Sequence, residues 1–182
     1  MSMTASRLLS AEEYGRLDDP GGRTELVLGE IVPMSPPNAR HGQVCAEIAF
    51  LLKAHARDLG HVLSNDSGII TRRDPDTVRG LDIMFYRYER LPRGPLPATW
   101  LSLAPDLVVE VRSPGDRRSE LVGKAAEYLE AGAGIVLVVD PEAGAAWVHH
   151  ASGVVDRLEA DDAFRAPTIL GDFAMTVEQM LG

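Results

Sequence analysis

The chain has 182 residues, 45% of them hydrophobic, which is enough for one well-packed domain and too few for two large ones. Its formal net charge is −9, and the excess lies at one end. Residues 1–124 carry 17 acidic and 16 basic side chains, whereas residues 125–182 carry 10 and 2. This distribution argues against a polyanionic partner for the last third, and it leaves an arginine-bearing surface elsewhere open.

The composition also excludes several kinds of site and location. No apolar run approaches the roughly 20 residues that span a bilayer, and residues 1–10 lack the charged start and apolar core of a signal peptide. Cys45 is the only cysteine, which excludes an internal disulfide and a multi-cysteine zinc site. We therefore expect a cytoplasmic protein with no membrane partner, and we interpret Cys45 as a small core residue.

The first half of the chain alternates short strands with two helices. In chain order the patterns predict a helix capped by Ser10 and Glu13, strands at 24–28 and 30–34 around Gly29, a helix at 41–59 ended by Gly60, strands at 61–64 and 68–71 separated by Asn65-Asp66, and a strand at 82–86. The second half contains one strand–helix–strand unit, followed by a hairpin. Its predicted elements are a strand at 106–112, a helix at 117–131, an apolar strand at 135–139, a hairpin at 145–157 and a helix at 176–181.

Two of these strands each hold a carboxylate within an apolar run. Asp82 begins one strand, and Glu110 lies between valines in the middle of another. An ionised acid in such a place is costly unless a cation or a donor compensates, and two acids on neighbouring strands suit a hard divalent metal. The alternatives are a capping role for Asp82 and a buried ion pair of Glu110 with Arg79 or Arg112.

Lys124 stands out because the chain contains 16 arginines and only 2 lysines. Unlike arginine, lysine can lose its proton when it is desolvated. The alternative is a solvated helix lysine paired with Glu120 or Glu127. His41 begins a helix and is a metal ligand, a base or a solvent-facing residue. No two histidines have metal-ligand spacing, so zinc is not expected.

At these residues the chain resembles the Uma-type restriction endonucleases, a branch of the PD-(D/E)XK nuclease superfamily. The similarity covers roughly residues 8–150 and includes His41, Lys124 and Tyr128. Its longer motifs are Thr24-Glu25-Leu26-Val27-Leu28-Gly29-Glu30-Ile31, Met34-Ser35-Pro36-Pro37, Arg79-Gly80-Leu81-Asp82, Pro105-Asp106-Leu107-Val108-Val109-Glu110-Val111, Ser113-Pro114 and Val139-Asp140-Pro141.

The resemblance implies an α/β fold with a restriction-endonuclease-like core, a central mixed sheet flanked by helices, in one domain over residues 1–182. It makes Asp82 and Glu110 the ligands of Mg²⁺ or Mn²⁺, Glu25 an assisting acid, and Lys124 the catalytic lysine. His41, Arg79 and Arg112 are possible accessory residues. The segment 145–182 forms an acidic C-terminal hairpin and helix outside the similarity.

The chain departs from the family pattern at three places. Leu81 replaces the proline of the Pro-Asp motif, and Arg112 occupies the lysine position of the Glu-x-Lys motif, where a permanently charged guanidinium cannot act as a base. Gly134-Ile135-Val136-Leu137 replaces a more polar and aromatic version of that strand. None of the three departures removes a carboxylate.

The resulting expectation is a metal-dependent endonuclease that hydrolyses DNA and works as a homodimer. One alternative is a catalytically inactive or regulatory binding module on the same fold, which the acidic charge favours. Another is a nuclease acting on RNA or branched structures.

Overall fold

The computed structural model describes residues 7–18 and 21–182. Residues 1–6, which belong to the segment that lacks the features of a signal peptide, lie outside the described residues. Its elements, in chain order, are α1 (Ala11–Tyr14), β1 (Thr24–Val27), β2 (Glu30–Pro33), α2 (Ala39–His55), β3 (Gly60–Arg72), β4 (Thr77–Arg87), β5 (Leu107–Val111), α3 (Arg118–Glu130), β6 (Ile135–Asp140), β7 (Ala145–His150), β8 (Val155–Leu158), β9 (Ala163–Arg165), α4 (Pro167–Leu170), β10 (Ala174–Thr176) and α5 (Val177–Leu181).

The long strand β4 organises the main eight-stranded sheet. One edge of β4 pairs with β3 along its whole length. The other edge is shared, because β1 pairs near its start at Val78 and β5 pairs near its end at Ile83–Phe85. The sheet therefore divides beyond β4 into two wings, one made of β1 and β2, the other of β5, β6, β7 and β8.

Helices cover the two faces of the sheet, and the expected α/β architecture is confirmed. On one face, Val44 of α2 belongs to the same apolar cluster as Val109 of β5. On the opposite face, Leu121 of α3 belongs to a second cluster with Val108. The predicted strand–helix–strand unit is present, since β5 and β6 are parallel neighbours joined through α3. β6 is buried at every position, as its apolar sequence indicated.

A β-bulge replaces the predicted break between two strands. Residues 61–64 and 68–71 belong to one strand, β3, whose pairing with β4 shifts by one residue between Ser64 and Ser67. Asn65 and Asp66 both have positive φ there and lie opposite the single residue Asp82. Bulges of this kind bend the bulged strand, so Asp82 lies opposite an irregular part of β3.

Gly60 does not end the α2 helix, which was an incorrect prediction. The helix stops at His55, and Gly60 is the first residue of β3. A Cβ built on Gly60 would lie 2.0 Å from the Tyr86 carbonyl oxygen, so a close approach of two strands, rather than a helix cap, requires glycine here. The small β9–β10 sheet and α4 were also not predicted.

Among the described residues, no helix is long and apolar enough to cross a membrane.

The Gly60 contact predicts a stability effect. Gly60→Ala should destabilise the protein by about 1–3 kcal/mol, because the new methyl group overlaps backbone that belongs to β4. Gly42→Ala is the matched control, since Gly42 lies in α2 with nothing within 4 Å of its Cβ direction. Gly42→Ala should stabilise the protein by about 0.5–1 kcal/mol. Urea unfolding measures both changes, and equal effects at the two sites would contradict the proposed role of Gly60.

Candidate metal and catalytic site

Asp82 and Glu110 meet where the β4–β5 ladder ends. The ladder pairs Ile83 with Val109, and one further step of the same register sets Asp82 opposite Glu110. Both residues are buried, with 9% and 5% of their surface exposed. The gap between the two wings of the sheet lies directly beside them, because β1 pairs with β4 only at Val78. The two acids are thus inside the protein but at the edge of an opening.

Each of these carboxylates gives one oxygen to a protein donor. Asp82 Oδ2 accepts from the Val111 amide at 2.8 Å and lies 3.1 Å from His41 Nε2. The Tyr128 hydroxyl donates to Glu110 Oε1 at 3.1 Å. No buried side-chain nitrogen or oxygen lacks a partner within residues 7–18 and 21–182. The hydrogen bonds above use only one oxygen of each acid, so the second oxygen cannot be fully buried. Because both residues line the cleft, this second oxygen faces the cleft and can bind a cation there.

The proximity of two buried acids changes the protonation of Glu110. Burial, followed by the negative charge of Asp82, raises the pKa of Glu110 to about 8. Lys124 and the Tyr128 hydrogen bond oppose this rise without cancelling it. Without a cation, Glu110 therefore binds a proton more readily than an ordinary glutamate does. A divalent ion between the two acids would favour their ionised forms.

Glu25, on β1 of the other wing, and Lys124, on α3, also line the opening. Glu25 is 4% exposed and accepts from Arg79 Nη1 at 2.8 Å and from the Gly80 amide at 3.2 Å. Lys124 Nζ lies 3.6 Å from Glu25 Oε1. Burial alone lowers the pKa of Lys124, but Glu110 and Glu25 outweigh burial and raise that pKa above its ordinary value. The two carboxylates therefore favour the charged form of Lys124.

A second possible metal group combines His41, Cys45 and Asp82, whose ligand atoms lie within 4.8 Å of one another. Two observations count against it. Burial and the charge of Asp82 raise the pKa of the Cys45 thiol, whereas a metal needs the thiolate. Burial alone lowers the pKa of His41, but Asp82 outweighs burial and raises it, so the imidazole tends to hold the extra proton that a ligand must lose. The oxygen pair of Asp82 and Glu110 suits a hard cation better.

The two arginines considered as accessory residues lie in different places. Arg79 bridges Glu25 and Glu127, and its Nη2 lies 2.6 Å from Glu127 Oε2. Arg112 instead contacts Asp140 at 3.1 Å and Glu142 at 3.0 Å. Arg79 therefore lies at the site, whereas Arg112 lies away from it.

The opening between the wings is a cleft of about 1170 Å³. Three arginine or lysine side chains and seven carboxylates line it. Its basic members are Arg23, Arg79 and Lys124; its acidic members are Glu25, Asp66, Asp82, Glu110, Asp116, Glu120 and Glu127. A phosphodiester entering this cleft would be repelled unless cations were bound first.

Sequence reasoning assigned no role to Tyr128 and considered Glu127 only as an ion-pair partner of Lys124, although both residues contact the site. The signal available was helical spacing: Glu127 and Tyr128 follow Lys124 by three and four residues, so all three share one face of α3. Sequence alone could not show which strand residues that face meets.

The chain is similar to known proteins in family and in fold. The family model Uma2, described as "Putative restriction endonuclease", matches residues 11–178. Among solved structures, the crystal structure of a putative nuclease belonging to DUF820 from Anabaena variabilis superposes with a TM-score of 0.83 at 17% sequence identity. That match covers 95% of this chain and 97% of the other and shows a shared fold. No curated protein matches the chain.

The raised pKa of Glu110 predicts a pH-dependent effect on stability in the presence of a chelator. Because the folded pKa, about 8, exceeds the ordinary value of 4.5, the folded state binds the proton more tightly than the unfolded state. The contribution of Glu110 to stability should therefore be lost as the pH rises from about 5 to about 8. Glu110→Gln removes this titration, so its stability relative to wild type should be greater at pH 8.5 than at pH 5.

Urea unfolding at the two pH values measures the difference. Glu130→Gln, at the exposed end of α3, shows the effect of removing a surface carboxylate. A Glu110→Gln effect that is the same at both pH values would contradict the raised pKa.

Proposed function

This chain belongs to the Uma2 family, and from that membership we propose that it is a metal-dependent endonuclease that hydrolyses DNA phosphodiester bonds. The observation that carries the proposal is the buried pair of Asp82 and Glu110, opposite each other at the end of the β4–β5 ladder. A buried pair of like charges is unfavourable as a purely structural feature, whereas a divalent cation makes the same pair favourable.

Mg²⁺ or Mn²⁺ would be held by Asp82 and Glu110, each through the oxygen that reaches the cleft. When bound, such an ion supplies Lewis-acid stabilisation of the phosphate and lowers the pKa of a bound water. The remaining oxygens stay with the protein, since His41 and the Val111 amide hold Asp82 and Tyr128 holds Glu110. The cation also offsets the acidic lining of the cleft.

Lys124 would stabilise the negative charge that develops on the phosphate in the transition state. As an ammonium, Lys124 suits electrostatic stabilisation of that charge, and the carboxylates of Glu110 and Glu25 favour this charged form by raising its pKa. Glu25 lies within 3.6 Å of this ammonium and is itself fixed by Arg79 and Gly80. Glu25 thus assists by holding Lys124 at the cleft.

Metal-induced stabilisation tests the site independently of activity. Mg²⁺ or Mn²⁺ should raise the Tm of wild type, because a ligand that binds the native state stabilises it by mass action. The rise should largely vanish in Asp82→Asn and Glu110→Gln. If both variants respond to metal as wild type does, the two acids are structural and the metal site is elsewhere.

Lys124→Ala separates catalysis from metal binding. It should keep the metal-induced rise in Tm but lose at least about 100-fold in the rate of DNA cleavage, because it removes a charge that acts on the phosphate. Lys53→Ala is the matched control, since Lys53 is the other lysine of the chain and lies exposed on α2. Lys53→Ala should cleave at the wild-type rate.

The same assay distinguishes the competing functions. Metal-dependent DNA cleavage that is lost in Glu110→Ala supports the proposal. Metal and DNA binding without cleavage would indicate a binding module, and preferential cleavage of RNA or branched substrates would change the substrate class.

We also propose that the protein acts as a homodimer through β2. This strand ends one wing of the sheet, and all four of its residues are exposed. Ile31, with 36% of its surface exposed, and Leu28, with 43%, add apolar surface to this edge. An exposed edge strand offers free backbone donors and acceptors to a second copy of the chain.

Substitution at each outer strand tests the interface. Light scattering at micromolar concentration should give a dimer for wild type and a monomer for Ile31→Lys, because lysine on an edge strand opposes pairing. Val155→Lys, on the outer strand β8 of the other wing, should remain dimeric. A monomeric wild type would exclude the homodimer, and a dimeric Ile31→Lys would exclude β2 as its interface.

A further inference from the structure

One face of α3 contacts three strands of the site. Lys124 reaches Glu25 of β1, Glu127 binds Arg79 of β4, and Tyr128 binds Glu110 of β5. Two of these contacts are ion pairs, and the third is a neutral donor on a buried acid. The third contact therefore raises the question of what a hydroxyl contributes there.

Tyr128 is completely buried, and its ring belongs to the apolar cluster that includes Val108 and Val136. The ring alone accounts for that packing, and phenylalanine would fill the same space. The hydroxyl adds a polar atom that must find a partner inside the protein. Tyr86, also completely buried, meets this need with a backbone carbonyl, Leu103 O at 2.8 Å. Tyr128 meets it with a carboxylate of the proposed metal site.

The Tyr128 hydroxyl is the donor in this contact, and it donates to Glu110 Oε1 at 3.1 Å. Because this bond occupies Oε1, the carboxylate is oriented with Oε2 toward the cleft.

We propose that Tyr128 is a positioning residue that fixes the rotation of the Glu110 carboxylate so that Oε2 faces the divalent cation. The inference rests on the proposed function, since it assumes that Glu110 binds the ion. Partners that orient metal ligands from behind typically change metal affinity by about 10–100-fold when they are removed. A hydroxyl that served only packing would change stability and leave metal affinity unaltered.

The test compares Tyr128→Phe with Tyr86→Phe, two variants that each lose one buried hydroxyl and keep the ring. The concentration of Mn²⁺ that gives half of the maximal rise in Tm is measured for both variants and for wild type. In Tyr128→Phe this concentration should increase about 10-fold or more. In Tyr86→Phe it should match wild type, although the Tm without metal falls.

A second measurement covers the case in which Tyr128→Phe melts at too low a temperature for a useful Tm. Electron paramagnetic resonance counts free Mn²⁺ at low temperature, so the affinity is obtained without unfolding the protein. The same increase in the dissociation constant is expected. A Tyr128→Phe protein that lacks native near-ultraviolet circular dichroism even with saturating Mn²⁺ overturns the inference, because the hydroxyl would then be needed for folding itself.

The outcomes for wild type and variant separate the two proposals. If wild type responds to Mn²⁺ and Tyr128→Phe has the wild-type affinity, the positioning role is wrong and the nuclease proposal stands. If both tyrosine variants lose affinity equally, the loss reflects general destabilisation and the positioning role is again wrong. If wild type does not bind Mn²⁺, the proposed metal site fails, and this inference fails with it.

Discussion

The enclosure of two carboxylates, Asp82 and Glu110, is the constraint on which the rest of this structure depends. Two acids at opposed positions of neighbouring strands repel each other, and burial strengthens that repulsion because little water screens it. The surrounding contacts reduce this cost without removing it. His41 and a backbone amide hold Asp82, Tyr128 holds Glu110, and Lys124 contributes a positive charge nearby. What remains is an unfavourable interaction that a divalent cation at the proposed metal site would relieve.

The sheet provides the opening that such a site requires. A regular sheet would give β4 one full-length neighbour on each side, and a strand beside Asp82 would seal it in. Here β1 and β5 share one edge of β4 and leave the stretch between them free of strand pairing. The Glu25 carboxylate accepts from the Gly80 amide in that stretch, and the Asp82 carboxylate accepts from Val111. Side chains of the site thus replace ladder hydrogen bonds at the point where the wings separate.

Local patterns predicted most of the elements and placed both acids correctly on strands. The α3 helix and β6 strand agree with their predicted bounds to within about a residue, because their apolar spacing and Gly132 are local signals. The errors arose where distant contacts decide. Gly60 was assigned to a helix end, but glycine is needed there because a Cβ would overlap the Tyr86 carbonyl oxygen of the neighbouring strand. The residues at 65 and 66 were assigned to a break between strands, but they form a bulge that is recognised only from the pairing of β3 with β4. The role of Tyr128 was missed for the same reason, since no local pattern shows that its hydroxyl meets Glu110.

The scarcity of lysine has a practical consequence for chemical labelling. Amine-reactive dyes and surface-coupling reagents attack the uncharged amine. Lys124 is held as an ammonium by buried carboxylates, with only 20% of its side chain exposed. Lys53 is exposed on α2, on the helix that covers the opposite face of the sheet from α3. Such reagents should therefore attach at Lys53 and at the chain's terminal amine, and the protein can be immobilised or made fluorescent by ordinary amine coupling while its cleft stays open.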